Sequence, residues 1–98
     1  MDETCHYQGI TFVWNRQKAL ANRIKHGVSF ERACEAFFDP FLCLVDASRE
    51  GDERDAVIGE DVAGRLLFVV HVQQIGEIFR LISARKATGE EREHYENQ

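Results

Sequence analysis

The 98-residue chain has one proline and seven glycines, which excludes collagen-like and proline-rich linker behaviour. Its longest apolar run, Leu66 to Val70, is closed off by Arg65 and His71 and is too short to span a bilayer. No basic N-terminal segment leads into an apolar one, so the sequence predicts no secretory signal, no membrane partner and a cytoplasmic location. The cysteines, Cys5, Cys34 and Cys43, are odd in number and form no CxxC, which argues against a disulfide framework and a zinc knuckle. Cys34 and Cys43 sit in apolar patterns and read as core residues, whereas Cys5 reads as an exposed thiol. There is no GxGxxG, Walker loop, GxSxG or HExxH, and the four histidines (6, 26, 71 and 94) are scattered. No cofactor and no metal are expected. The acidic stretch 50–61 lacks the EF-hand ligand pattern and reads as a solvated loop.

What is present is ordinary globular composition, 44% hydrophobic and 30% charged. The length fits a single domain over 1–98 that buries about 60–65% of its unfolded surface. The net charge of −5 is wrong for a generic nucleic-acid coat protein, but the charge is segregated. Residues 50–61 carry −5, residues 14–32 carry +4 and residues 62–86 carry +3. Arginine dominates the basic residues and suits bidentate phosphate contacts.

Tyr7 to Trp14 reads as a strand with Ile10, Phe12 and Trp14 on one face, and Trp14 reads as core. Asn15 caps a helix, Arg16 to His26, in which Leu20 and Ile24 stack at i,i+4, and Gly27 stops it in the left-handed region. Ser29 caps a second helix with Phe30, Ala33, Cys34 and Phe37 at helical spacing, and Asp39-Pro40 ends it. Beyond it Phe41–Asp46, Ala56–Gly59, Arg65–Val72 and Ile78–Arg85 read as strands joined by short glycine-containing turns, an antiparallel meander. Thr88-Gly-Glu-Glu91 fits a capping box that opens a short C-terminal helix. The fold class is α+β, with the two N-terminal helices packed on one sheet face.

Three constellations stand out. Lys25-His26-Gly27 could face a phosphate or simply cap the helix dipole. Arg65 and His71 share a strand face by periodicity, and that face is expected to be the concave, solvent-reachable one opposite the helices. His71 could be a hydrogen-bonded core residue or an acid–base group, since imidazole titrates near neutrality. Arg80 and Arg85 are five positions apart and so fall on opposite faces. If residue 72 pairs with 78, Arg85 joins Arg65; if the turn is only Ile75-Gly76, Arg80 does. An arginine within an apolar strand is costly unless it meets a ligand or an acid such as Glu77 or Glu91.

Taken together, Phe12-Val-Trp14-Asn, Lys18, Asn22, Lys25-His-Gly-Val-Ser-Phe30, Ala33 and Phe37-Phe-Asp-Pro40 resemble the opening of the BrnT toxins. Glu53-Arg54, Ile58-Gly59, Gly64-Arg-Leu-Leu67, Val69-Val-His71, Arg80-Leu-Ile-Ser-Ala-Arg85, Lys86-Ala-Thr88, Glu91-Arg92 and Tyr95 continue the likeness over about residues 12–95. The family often has acids where Asn15 and Arg32 stand, a difference that bears on helix starts. The resemblance implies a RelE-like fold and a ribonuclease toxin of a bacterial type II toxin–antitoxin pair. It implies an RNA substrate, translation inhibition, a BrnA-type antitoxin as partner, and operator DNA bound only through that antitoxin. Metal-free RNA cleavage by the 2′-hydroxyl needs a base, an acid and cations around the phosphorane. Arg65, His71, Arg80 and Arg85 are the candidate catalytic residues, Glu77 a weaker acid–base group, and Arg54, Lys86, Lys25 and His26 the candidate RNA contacts. A non-catalytic partner-binding module is the alternative function.

Overall fold

The computed structural model describes residues 1–98 as β1 (Asp2–Tyr7), β2 (Ile10–Asn15), α1 (Arg16–His26), α2 (Phe30–Ala36), β3 (Cys43–Asp46), β4 (Asp55–Glu60), β5 (Leu66–Gln74), β6 (Ile78–Lys86) and α3 (Gly89–Glu96). One six-stranded sheet has the order β1-β2-β6-β5-β4-β3. Strands β3 to β6 form the expected antiparallel run, but β2 lies parallel to β6, with Thr11 to Val13 opposite Ile78 to Arg80. The fold is therefore α+β with a mixed sheet rather than a simple antiparallel meander. The physical reason is the crossover: α1 and α2 carry the chain over one sheet face between β2 and β3. Strand β1 is an addition that a polar sequence, DETCHY, concealed. It closes a hairpin on β2 through Gln8 and Gly9, both at positive φ, which suits the right-handed twist of the pair.

The helices form because their caps are in place. Asn15 Oδ1 accepts from Lys18 N–H and Ser29 Oγ from Arg32 N–H, while Gly27 at φ 71° donates back to Arg23 C=O. Against the covered face pack Phe12 and Trp14 of β2, Val28, Phe30, Ala33, Cys34 and Ala36 of the helical layer, and Val57, Leu67, Val69, Leu81 and Ala84 of the sheet. Cys5 is half-buried against this core rather than exposed, because β1 places it inward with Tyr7. At Gly59 the contact is so close that a Cβ would lie 2.4 Å from the Ala36 carbonyl oxygen, so only glycine lets α2 sit on β4.

The β2–β6 pairing ends at Val13 and Arg80, and by the level of Ala84 the chain has left β2 for α1. The side chain of Asn22 takes that place. Its Nδ2 donates to Ala84 C=O at 2.8 Å and Val28 C=O at 3.1 Å, and its Oδ1 accepts from Ala84 N–H at 3.1 Å. An amide side chain thus continues the ladder that the strand abandoned.

The other sheet face carries α3 at one end, over a small cluster of Cys43, Ile58 and Leu66. Its capping box, Thr88 with Glu91, is formed as the sequence predicts. Tyr95 Oη donates to Asp39 Oδ2 at 2.6 Å, and Asp39 also accepts from the N–H groups of Phe41 and Glu60.

Candidate nucleic-acid interface

The register of β5 and β6 decides which arginines meet. Val72 pairs with Arg80 and His71 with Leu81, but Val70 pairs with Ser83 and Phe68 with Arg85. Ile82 is the extra residue, a β-bulge that shifts the alternation by one. Both expected registers are corrected by it. Arg80 and Arg85, five positions apart, emerge on the same face, the one left open by α1 and α2. Their cross-strand partners, Val72 and Phe68, are both even-numbered residues of an unbulged strand.

Each guanidinium already holds an acid. Arg85 donates to both oxygens of Glu91, at 2.7 and 2.8 Å, and stacks with Cζ 4.4 Å from the Phe68 ring centroid. Burial alone would raise the Glu91 carboxyl, but Arg85 and the Thr88 N–H hold it below the ordinary value. Arg80 donates to Asp2 Oδ2 at 2.7 Å, so its partner comes from the unforeseen β1 and not from Glu77, which is exposed in the β5–β6 turn. That guanidinium lowers the Asp2 carboxyl. Beside Arg85, a cavity of about 440 Å³ opens between α3 and the sheet, lined by Val45, Ile58, Phe68, Thr88, Glu91 and His94. The open face also carries His6, whose Nδ1 lies 3.1 Å from Thr11 Oγ1. Neither His6 nor His94 stood out in the sequence, where only strand pairing and the turn into α3 could have placed them beside the arginines.

Arg65 and His71 are not on this face. His71 is 2% exposed, on the helix-covered side, with its ring edge-on to Phe37 at 5.0 Å and Phe79 at 5.5 Å. Burial pushes its pKa below the ordinary imidazole value. It is a core residue because the alternation that faces Leu67 and Val69 inward carries His71 with them. Arg65 lies in the turn before β5, where its Nε donates to the buried Asp61 at 2.8 Å and its Nη1 lies 3.4 Å from Gly27 C=O. Asp61 also accepts from the N–H groups of Ala63 and Arg65, and it belongs to the interior rather than to a solvated acidic loop.

Lys25 and His26 end α1, and Arg65 reaches Gly27 just beyond them. Asn22 ties the same helix to Ala84, two residues before the exposed Lys86. Those four basic side chains mark one end of the sheet. Arg54 stands apart, held by Asp52 at 2.7 Å, beside a cavity lined by Asp46, Glu53 and Asp55.

The family model of the BrnT ribonuclease toxins of type II toxin–antitoxin systems matches residues 14–91. The chain belongs to the BrnT family. The matched span of this BrnT chain contains α1, α2, the bulged β6 with both open-face arginines, and Glu91. A type II toxin family implies an antitoxin partner. No curated protein is a significant match. No helix of this BrnT chain is long and apolar enough to cross a membrane.

Proposed function

We propose that this BrnT-family chain is one RelE-like domain, a metal-independent endoribonuclease that inhibits translation in the cytoplasm until a BrnA-type antitoxin neutralises it. The observation that carries the reading is the Ile82 bulge, which puts Arg80 and Arg85 on one open sheet face. An RNA strand laid across that face would present phosphates to both guanidinium forks. The RNA 2′-hydroxyl then attacks the adjacent phosphorus, its proton passes to a base, and the 5′-oxygen leaves with a proton from an acid. Arg80 and Arg85 stabilise the phosphorane, and the exposed imidazoles of His94 and His6 on that face are the proposed base and acid. Lys86 is an outer phosphate contact, and Lys25 and His26 extend the cationic track for longer RNA. In this reading operator DNA is bound through the antitoxin alone.

The internal carboxylates favour a second reading. Glu91 and Asp2 occupy the arginine forks as an acidic segment of a partner would, which suits a module that binds and does not cut.

Expression without antitoxin separates the two. A nuclease should arrest growth and cleave RNA. Arg80→Ala and Arg85→Ala should each lower cleavage by roughly 30- to 1000-fold, the range of about 2–4 kcal/mol of transition-state stabilisation. A folded chain that neither arrests growth nor cleaves RNA would leave the binding module.

A further inference from the structure

Helix α1 is turned inside out relative to an ordinary amphipathic helix. The side chain it buries is the polar Asn22, flanked by Ala19 and His26, while Leu20 is 61% and Ile24 79% exposed. At 100° per residue, Leu20, Ala21 and Ile24 form one solvent-facing stripe with Gln17 in the same row. Arg16 and Arg23 flank this stripe on one side and Lys18 and Lys25 on the other, and α1 contains no acid. Beside Leu20 the surface is indented by a groove of about 250 Å³ between α1 and the start of α2, lined by Arg16 and Arg23 with Phe30 at its base and by the acids Glu3 and Glu31. Glu3 lies 3.9 Å from Arg16, so Arg23, Lys18 and Lys25 are the flanking cations without an acid partner. The spacing i, i+3, i+4, i+7 is that of a helix made to pack on another helix.

The charge pattern selects the occupant. A second copy of α1 would bring like charges together on both flanks. An anionic membrane would repel a chain of net charge −5, and the stripe is only two turns long. Nucleic acid would leave Leu20 and Ile24 without apolar partners. We propose that the outer face of α1 is a docking surface for an acidic amphipathic helix of the partner protein, with two apolar anchors against Leu20 and Ile24 and carboxylates against the flanking cations. The proposal rests on the toxin reading for the existence of such a partner. It places the partner's anchor on the helical layer, across the sheet from Arg80 and Arg85, so that neutralisation and anchoring are separate contacts.

The test uses the full chain and a synthetic helical peptide with leucines at i, i+3, i+4 and i+7 flanked by glutamates. A scrambled peptide of the same composition, phosphatidylglycerol vesicles and single-stranded RNA serve as rival probes. The designed peptide should bind and shift the backbone NMR signals of α1. The double variant Leu20→Glu, Ile24→Glu should weaken it by at least about 10-fold, as loss of a central anchor does, with melting temperature and RNA cleavage unchanged. Arg16→Gln with Arg23→Gln gives a second arm that keeps the apolar stripe. Equal binding by the scrambled peptide, undiminished binding by both variants, or shifts at Leu20, Ala21 and Ile24 produced by vesicles or RNA and not by the peptide would overturn the proposal. A parent chain that binds the peptide but cuts no RNA would end the nuclease reading and leave the docking surface standing.

Discussion

At the scale of single residues, two polar side chains do work that the backbone could not. Asn22 supplies one acceptor and two donations to Ala84 and Val28, all buried. Asn22→Ala should leave the Ala84 N–H and C=O without partners, at about 1–3 kcal/mol for each stranded group. We expect urea unfolding to show a loss of at least about 2 kcal/mol with an unchanged slope; a loss below about 0.5 kcal/mol would mean that water replaces the amide. Arg65 is the second case. Its partner Asp61 is buried, whereas the arginine is about one-third exposed, so solvent screening reduces what the pair is worth. Arg65→Ala should lower stability by about 1–3 kcal/mol and leave cleavage by the folded fraction unchanged. A drop in cleavage with no change in melting would instead return Arg65 to the chemistry.

At the scale of elements, α3 is the segment held least by burial and most by polar ties. None of its residues is buried, and it is fastened by the Tyr95–Asp39 and Glu91–Arg85 contacts. Tyr95→Phe removes one hydrogen bond to a carboxylate, worth about 1.5–3 kcal/mol at most. The change should loosen α3 over Cys43, which is shielded in the parent and whose thiol is pushed up by burial and by Asp39. A thiol reagent should therefore label Cys43 faster in the variant than in the parent, with Cys34 unchanged; equal rates would show that Cys43 is protected by the sheet alone. The elements also mark how far the sequence could be read. Both helix starts, the Gly27 stop, the capping box and strands β3 to β6 were legible because each rests on local chemistry or on simple alternation. Strand β1, the parallel β2–β6 pair and the Ile82 bulge were not. A polar edge strand has no apolar signature, and pairing between residues 11–13 and 78–80 is set by the crossover. The bulge alone turned two arginines assigned to opposite faces into neighbours on one face. His71 was misplaced for a related reason: which side of β5 the helices cover is decided by the handedness of the crossover and not by residues 65–71 themselves.

At the scale of the molecule, an acidic chain keeps its titratable interior in a state that acid undoes. The interior groups, His71, Asp39 and Asp61, have folded pKa values below their ordinary ones, and Glu91 on the open face behaves likewise. For His71 the cause is burial, which disfavours the imidazolium; for the carboxyls, burial works against the charge but hydrogen bonds and Arg65 or Arg85 outweigh it where present. In every case the unfolded chain binds the proton more readily, so stability rises with pH across each window and is lost as pH falls. The windows differ. His71 begins to cost stability as pH drops below about 6.5, where only the unfolded imidazole is protonated. The carboxylates keep their full contribution until pH approaches 4.5 for Glu91 and 3.8 for the aspartates, and lose it below. Below pH 6.5 the parent should therefore lose stability as pH falls, with a slope of at most about 1.4 kcal/mol per pH unit, the limit for one proton. His71→Leu keeps an apolar side chain against Phe37 and Phe79 and removes the proton site. Its stability should be flat from pH 6.5 to 5 and then fall with the parent's carboxylate limb. Urea midpoints measured at half-unit pH steps on both proteins decide the matter: parallel curves above pH 5 would show that the buried imidazole takes up its proton without unfolding.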